Sequence, residues 1–279
     1  MLLISTAKHS LSELLEVRKY VDGYELGIGS IEQNKGLCNV LGGLIKTIHN
    51  LPALAPGEES FMMEPAVNPE PTAEMAARMV ERAKRMLGGW EVYGVHAGLR
   101  GRIKGPGDFT IEGELLPFEK CLENIQAFCK LVQGLTNPGT LSLENIYGGD
   151  ERSRAVGFDE EELRLISRVT PLLLDLGHLA VNCAYREVPL ESLNLKGLRI
   201  AELHVSFLHE KIEEFTLKDL KAAPIFWDHH PYTDTPVNRQ ILNLASQLAG
   251  KVKLVVLEVS GKLGDILSTL EKLSFAKEC

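Results

Sequence analysis

The sequence predicts an α/β protein built as a single (β/α)8 TIM barrel, and three observations carry that prediction. Eight short apolar runs recur along the 279 residues, with helix-patterned segments between most of them. Such alternation marks parallel strands joined by crossover helices. The length suits one α/β barrel, and residues 1–279 read as a single domain without an internal repeat or low-complexity tract. No run is followed by G-x-G-x-x-G, the signature of the competing doubly wound sheet.

In order, the runs are Leu2–Ser5, Gly23–Ile28, Leu44–His49, Glu91–His96, Leu141–Asn145, Leu172–Leu176, Leu198–Val205 and Val252–Val259. Helices are expected at Thr72–Leu87, which follows "NPEP" and stops at Gly88-Gly89, and at Pro117–Gln133, Asp159–Arg168, Thr235–Leu248 and Gly264–Ala276. Two connections, Asn50–Pro71 and Ala97–Leu116, are long. Both leave the C-terminal end of a strand, where a barrel keeps its active site.

The chain is 44% hydrophobic, yet no apolar run reaches the length of about 18 residues that a membrane helix needs. The start "MLLISTAK" lacks the cationic region of a signal peptide, so a cytoplasmic location is expected. Five cysteines without C-x-x-C spacing read as reduced thiols, not as a disulfide framework or cysteine-rich zinc module. A net charge of −8 disfavours nucleic acid as the partner and favours a small-molecule substrate.

Metal-capable side chains close most of the runs: His49, His96, Glu144, Asp175 with His178 in "DLGH", His204 and Glu258. An extra segment, "IFWDHH", adds Asp228 and His230. Strand side chains alternate faces. In "LSLEN" the leucines take the outer face and turn Glu144 inward, and the same logic turns His96, Asp175 and Glu258 inward. In extended chain Asp228 and His230 share a side while His229 points away. Nine carboxylates and imidazoles in one mouth require compensating charge, which divalent cations supply. Imidazole and carboxylate without thiolate suit Zn, Mn or Fe. Nine donors exceed the needs of one ion, so two or three are expected.

At "LSLEN", "LLLDLGH", "ELHVS" and "VVLEV" the sequence resembles the xylose isomerase-like TIM-barrel superfamily, which includes sugar isomerases, epimerases and endonuclease IV. For the epimerases the resemblance implies one metal held by Glu144, Asp175, His204 and Glu258. For endonuclease IV it implies a trinuclear zinc site that adds His49, His96, His178, Asp228 and His230. A looser similarity reaches the multinuclear iron oxidases that modify peptide cysteines.

The resemblance leads to a metal-dependent sugar or sugar-phosphate isomerase or epimerase as first expectation, with Glu144 or Glu258 as the catalytic base. An endonuclease IV-like phosphodiesterase is the alternative, followed by an iron oxidase or a metal-binding protein without catalysis. Arg100, Arg102 and Lys104 in "GLRGRIKGPGD", and Arg152 and Arg154 after Glu144, are expected to anchor a substrate phosphate or carboxylate. Trp227 is placed to stack on a sugar or base.

Overall fold

The computed structural model describes residues 1–28, 31–50, 53–54, 61–105, 108–136, 139–148, 154–211 and 227–277. Eight parallel strands close into a barrel: β1 (Leu2–Ser5), β2 (Gly23–Ile28), β3 (Ile45–Asn50), β4 (Val92–His96), β5 (Thr140–Glu144), β6 (Leu172–Asp175), β7 (Ile200–Val205) and β8 (Leu254–Leu257). They pair in chain order, and β8 returns to β1 with Leu3 opposite Val256. All eight expected strands are present, with ends shifted by a few residues.

The described helices are α1 (Leu11–Val17), α2 (Ile31–Leu41), α3 (Pro69–Met86), α4 (Phe118–Val132), α5 (Glu160–Val169), α6 (Leu176–Tyr185), α7 (Pro236–Ala249) and α8 (Leu263–Lys272). Local chemistry starts several of them. Ser10 and Glu13 form a reciprocal capping box on α1. Asp159 caps α5, whose first turn carries Glu160, Glu161 and Glu162 on the positive end of the helix dipole. Thr235 caps α7, and Pro236 opens it.

Leu176 belongs to α6, not to the strand before it. Asp175 ends β6 and caps α6 at once, accepting a 2.6 Å hydrogen bond from the His178 amide. Helix α6 is hidden from a periodicity search because nearly all of it is buried, which leaves no polar face to give it a helical stripe.

The main core lies between sheet and helices, around Tyr24, Tyr93, Phe128 and Phe207. A second small core of Leu3, Val92, Leu254 and Val256 closes the barrel floor. Above it the inward positions turn polar: Glu25, Thr47, Ser142 and Glu202, then the histidines and carboxylates of the strand ends. Both long connections carry antiparallel hairpins at that end, Ala53–Leu54 with Phe61–Met62 and Arg102–Gly105 with Asp108–Glu112. Among the described residues no helix is long and apolar enough to cross a membrane.

Candidate metal centre

The C-terminal mouth gathers donors into overlapping groups, each with its ligand atoms within 4.8 Å of one another. The first is His49, His96 and Glu144; the second is Glu144, Asp175, His204 and Glu258; the third is His178, Asp228 and His229. A further set, Glu25, His49, His204 and Glu258, lies deeper. Strand register sets the first two, since His96 pairs with Glu144 and Asp175 with His204. Gly94 clears the space beneath: a Cβ there would stand 2.6 Å from Leu173 Cδ1 and 3.4 Å from His49 Cδ2.

Glu144 links the first two groups with separate oxygens. Its Oε2 lies 2.7 Å from His49 Nε2 and 3.0 Å from His96 Nε2. Its Oε1 faces His178 Nδ1 at 3.5 Å and His204 Nδ1 at 3.7 Å. These approaches are close, but both Glu144 oxygens and both His49 nitrogens lack an aligned hydrogen bond. Asp175 Oδ2 and both Asp228 oxygens are likewise buried without one. Buried carboxylate oxygens left this way are costly. Donor atoms that converge without bonding each other suit a cation between them, so the residues fit divalent metal ions.

The third group differs from the extended-chain expectation. His229 has φ +59°, in the left-handed region, so the chain does not alternate across Asp228–His230. His229, not His230, turns to Asp228: its Nε2 lies 3.6 Å from Asp228 Oδ2, and His178 Nε2 lies 3.1 Å from the same oxygen. Each ring is oriented from behind, His178 Nδ1 donating to the Asn145 carbonyl at 2.8 Å and His229 Nδ1 to that of Glu258 at 3.1 Å. His230 instead pairs its backbone with Phe207 and sets its ring edge-on to His209 at 4.9 Å. Asn145 also clamps Asp175, accepting from its amide at 2.8 Å and donating to its carbonyl at 2.9 Å.

Electrostatics of the protein without metal follow from burial opposed by mutual charge. Burial would lower His49, but Glu144 raises it to about 9. Burial would likewise lower His178 and His204, yet Asp175 and Asp228 raise the first, and Glu25 the second. His96 is lowered by burial, against the pull of Glu144. Burial would raise Glu144 and Glu258, but His96 and His49 hold the first low, and His229 and His204 the second. Asp175 is pushed up to about 6 by burial. Protons on His49, His178 and His204 thus occupy the place of cations.

Two members of these groups escape a search of strand ends. Glu25 sits in mid-strand, fully buried, and its signal was the alternation in "GYELGI", where Tyr24 and Leu26 take the outer face. His229 has no local signal, because its backbone reversal depends on tertiary contacts.

The expected anion anchors part company. Arg100 forms an ion pair with buried Glu162, which also accepts from the Gly157 and Phe158 amides. Arg154 approaches the same carboxylate at 3.6 Å and Asp159 at 3.8 Å. Arg100 is therefore a brace between the loop after β4 and α5 in this structure, not a free anion anchor. Arg102 and Lys104 are exposed on a hairpin strand. Arg152 lies outside the described residues. Trp227 is 8% exposed and meets His209 edge-on at 6.4 Å.

No protein-family model and no curated protein matches the sequence. Solved structures match over nearly the whole chain. One described as a D-tagatose 3-epimerase-like protein is 16% identical, with TM-score 0.62, covering 99% of this chain and 97% of its own. An AP endonuclease, family 2, from Brucella melitensis is 12% identical, with TM-score 0.58, covering 99% and 98%. A xylose isomerase domain containing protein from Salmonella typhimurium is 12% identical, with TM-score 0.57, covering 99% and 96%. These likenesses show the fold, a (β/α)8 TIM barrel. In this barrel the four residues whose motifs carry the sequence resemblance, Glu144, Asp175, His204 and Glu258, lie together as the second group.

Proposed function

We propose that the chain is a divalent-metal-dependent enzyme that hydrolyses a phosphoester of a small polar substrate at a multinuclear centre. The carrying observation is the presence of three donor groups, two of them joined through Glu144, where a one-metal isomerase needs only the second. Charge supports the same count. With the deeper set and its Glu25 included, the four groups among the described residues hold five carboxylates and five imidazoles, and with neutral imidazoles three divalent cations offset the carboxylates to within one charge.

Cations at these positions would polarise a phosphoryl oxygen and acidify water. The protein's own part is to hold and orient. His49, His96 and Glu144 would hold one ion, Glu144, Asp175, His204 and Glu258 a second, and His178, Asp228 and His229 a third. Glu144 turns one oxygen to the first group and the other to the second, which leaves Glu258 as the acceptor for a proton from the attacking water. Tyr147 packs edge-on against His178 at 4.9 Å on the third group's side. A small substrate is favoured over DNA because the chain is acidic and Arg100 is tied to Glu162.

Metal analysis of the purified chain together with a phosphoester panel tests this reading. Expected are three Zn, Mn or Fe ions per chain and cleavage of a small phosphodiester or phosphomonoester, lost in Glu144→Ala. One ion per chain with ketose epimerisation and no ester cleavage overturns it in favour of epimerase chemistry on the second group. Incision of abasic-site duplex in preference to small esters would overturn the substrate assignment.

A further inference from the structure

His204 is gripped from both ring nitrogens. Its Nδ1 faces the second donor group, 3.0 Å from Glu258 Oε2 and 3.7 Å from Glu144 Oε1. Its Nε2 points down into the barrel, 2.7 Å from Glu25 Oε2, with Glu202 Oε1 at 3.6 Å. Thr47, on the neighbouring inward row, donates its hydroxyl to Glu202 Oε1 at 3.0 Å. Glu25 and Glu202 are fully buried just above the apolar floor of Leu3, Val92, Leu254 and Val256. A barrel interior is ordinarily filled at this depth by branched apolar side chains, so two carboxylates here call for a reason.

The reason lies in imidazole chemistry. A neutral ring carries one N–H and one lone pair. Carboxylates can only accept, so Glu25 at 2.7 Å keeps the proton on Nε2. Without metal, Nδ1 also lies in hydrogen-bond contact with Glu258 Oε2 at 3.0 Å, through a proton that a cation would displace; Nδ1 then offers its lone pair where Glu258 Oε2 and Glu144 Oε1 converge. Three lone-pair donors facing one point repel unless a positive charge sits among them.

We propose that Glu25 is a positioning residue for the metal centre: it locks His204 as the Nε2–H tautomer and so makes Nδ1 the ligating atom of the group Glu144, Asp175, His204 and Glu258. Glu202, held by Thr47, faces the same His204 Nε2 at 3.6 Å. The proposal rests on the reading that this second group holds a cation, but it needs one ion there and not three.

The test uses the full chain, zinc as the ligand, and 15N-labelled histidine. In zinc-loaded wild type the His204 resonances should report a proton on Nε2. Glu25→Gln should bind the same number of zinc ions at saturation, with one class of site 10–100-fold weaker, the usual cost of removing such a partner. Glu25→Asp, which keeps the charge, should recover part of that loss. A proton on Nδ1 in wild type overturns the proposal, and so does wild-type zinc affinity in Glu25→Gln. Loss of one ion at saturation also overturns it, since Glu25 would then be a ligand itself. Should Glu25→Gln fail to fold, the wild-type tautomer still decides. Zinc stoichiometry of the wild type reads the function proposed above, whereas tautomer and affinity read the role of Glu25, so the two can fail separately.

Discussion

Replacing His229 by Ala should remove one metal ion from the chain, and replacing His230 should not. His229 and His178 stand on either side of Asp228 Oδ2, at 3.6 and 3.1 Å through Nε2, each ring held from behind by a backbone carbonyl. Without His229 the third group keeps two protein donors. Structural zinc sites with four ligands bind with about 10–16 kcal/mol, or about 3 kcal/mol per ligand, and about 3 kcal/mol is a loss of at least ~100-fold in affinity. His230 belongs to none of the donor groups among the described residues, and its ring lies against His209. Metal content after dialysis, followed by competition with a chromophoric chelator, measures both variants against wild type. The reasoning is refuted if His229→Ala keeps every ion at wild-type affinity, or if His230→Ala is the variant that loses one.

Other consequences follow from neighbouring contacts. Arg100→Ala leaves the 8%-exposed Glu162 side chain with only Arg154 at 3.6 Å and two amides. Truncating a buried pair costs about 3–5 kcal/mol, and the remaining partners reduce this to roughly 2. Thermal melting should show a drop of about 4–8 °C; an unchanged melting temperature with a raised KM would restore Arg100 as a substrate anchor. Gly94→Ala drives a Cβ to 2.6 Å from Leu173 and against the His49 ring, so it should cost about 1–3 kcal/mol and weaken metal binding at the first group. Wild-type melting and metal content in that variant would show that the ring is not confined from below. Metal affinity should also fall as the pH is lowered. His49 sits near 9 without metal, so at neutral pH a cation must displace its proton, and affinity should rise about tenfold per pH unit for each proton released. Calorimetry in buffers of different ionisation enthalpy counts those protons, and zero release at pH 7 contradicts the assignment.

Much of the barrel is legible in the chain because each step is local. Apolar runs mark strands, and period-two alternation turns Glu144, His96, Asp175 and Glu258 inward without knowledge of any distant partner. Helix α6 escaped because its burial on all sides erased the polar face that periodicity needs. Glu25 was readable by the same alternation that found Glu144, but it lies within its strand and not at the end, where a search for ligands looks first.

The amino-acid sequence by itself determined that this chain closes a barrel and brings imidazoles and carboxylates to one end of it. Only the tertiary structure decided how they divide. His229 replaced His230 because φ reverses to +59°, in a segment pinned by pairing of His230 with Phe207 and by the bond from the Ser260 amide to the His229 carbonyl. Arg100 became a brace because Glu162, 62 positions away, packs beside it. The tautomer of His204 depends on Glu25, 179 positions away across the barrel. Such choices are made by charges and hydrogen bonds between residues remote in the chain, and no local pattern encodes them.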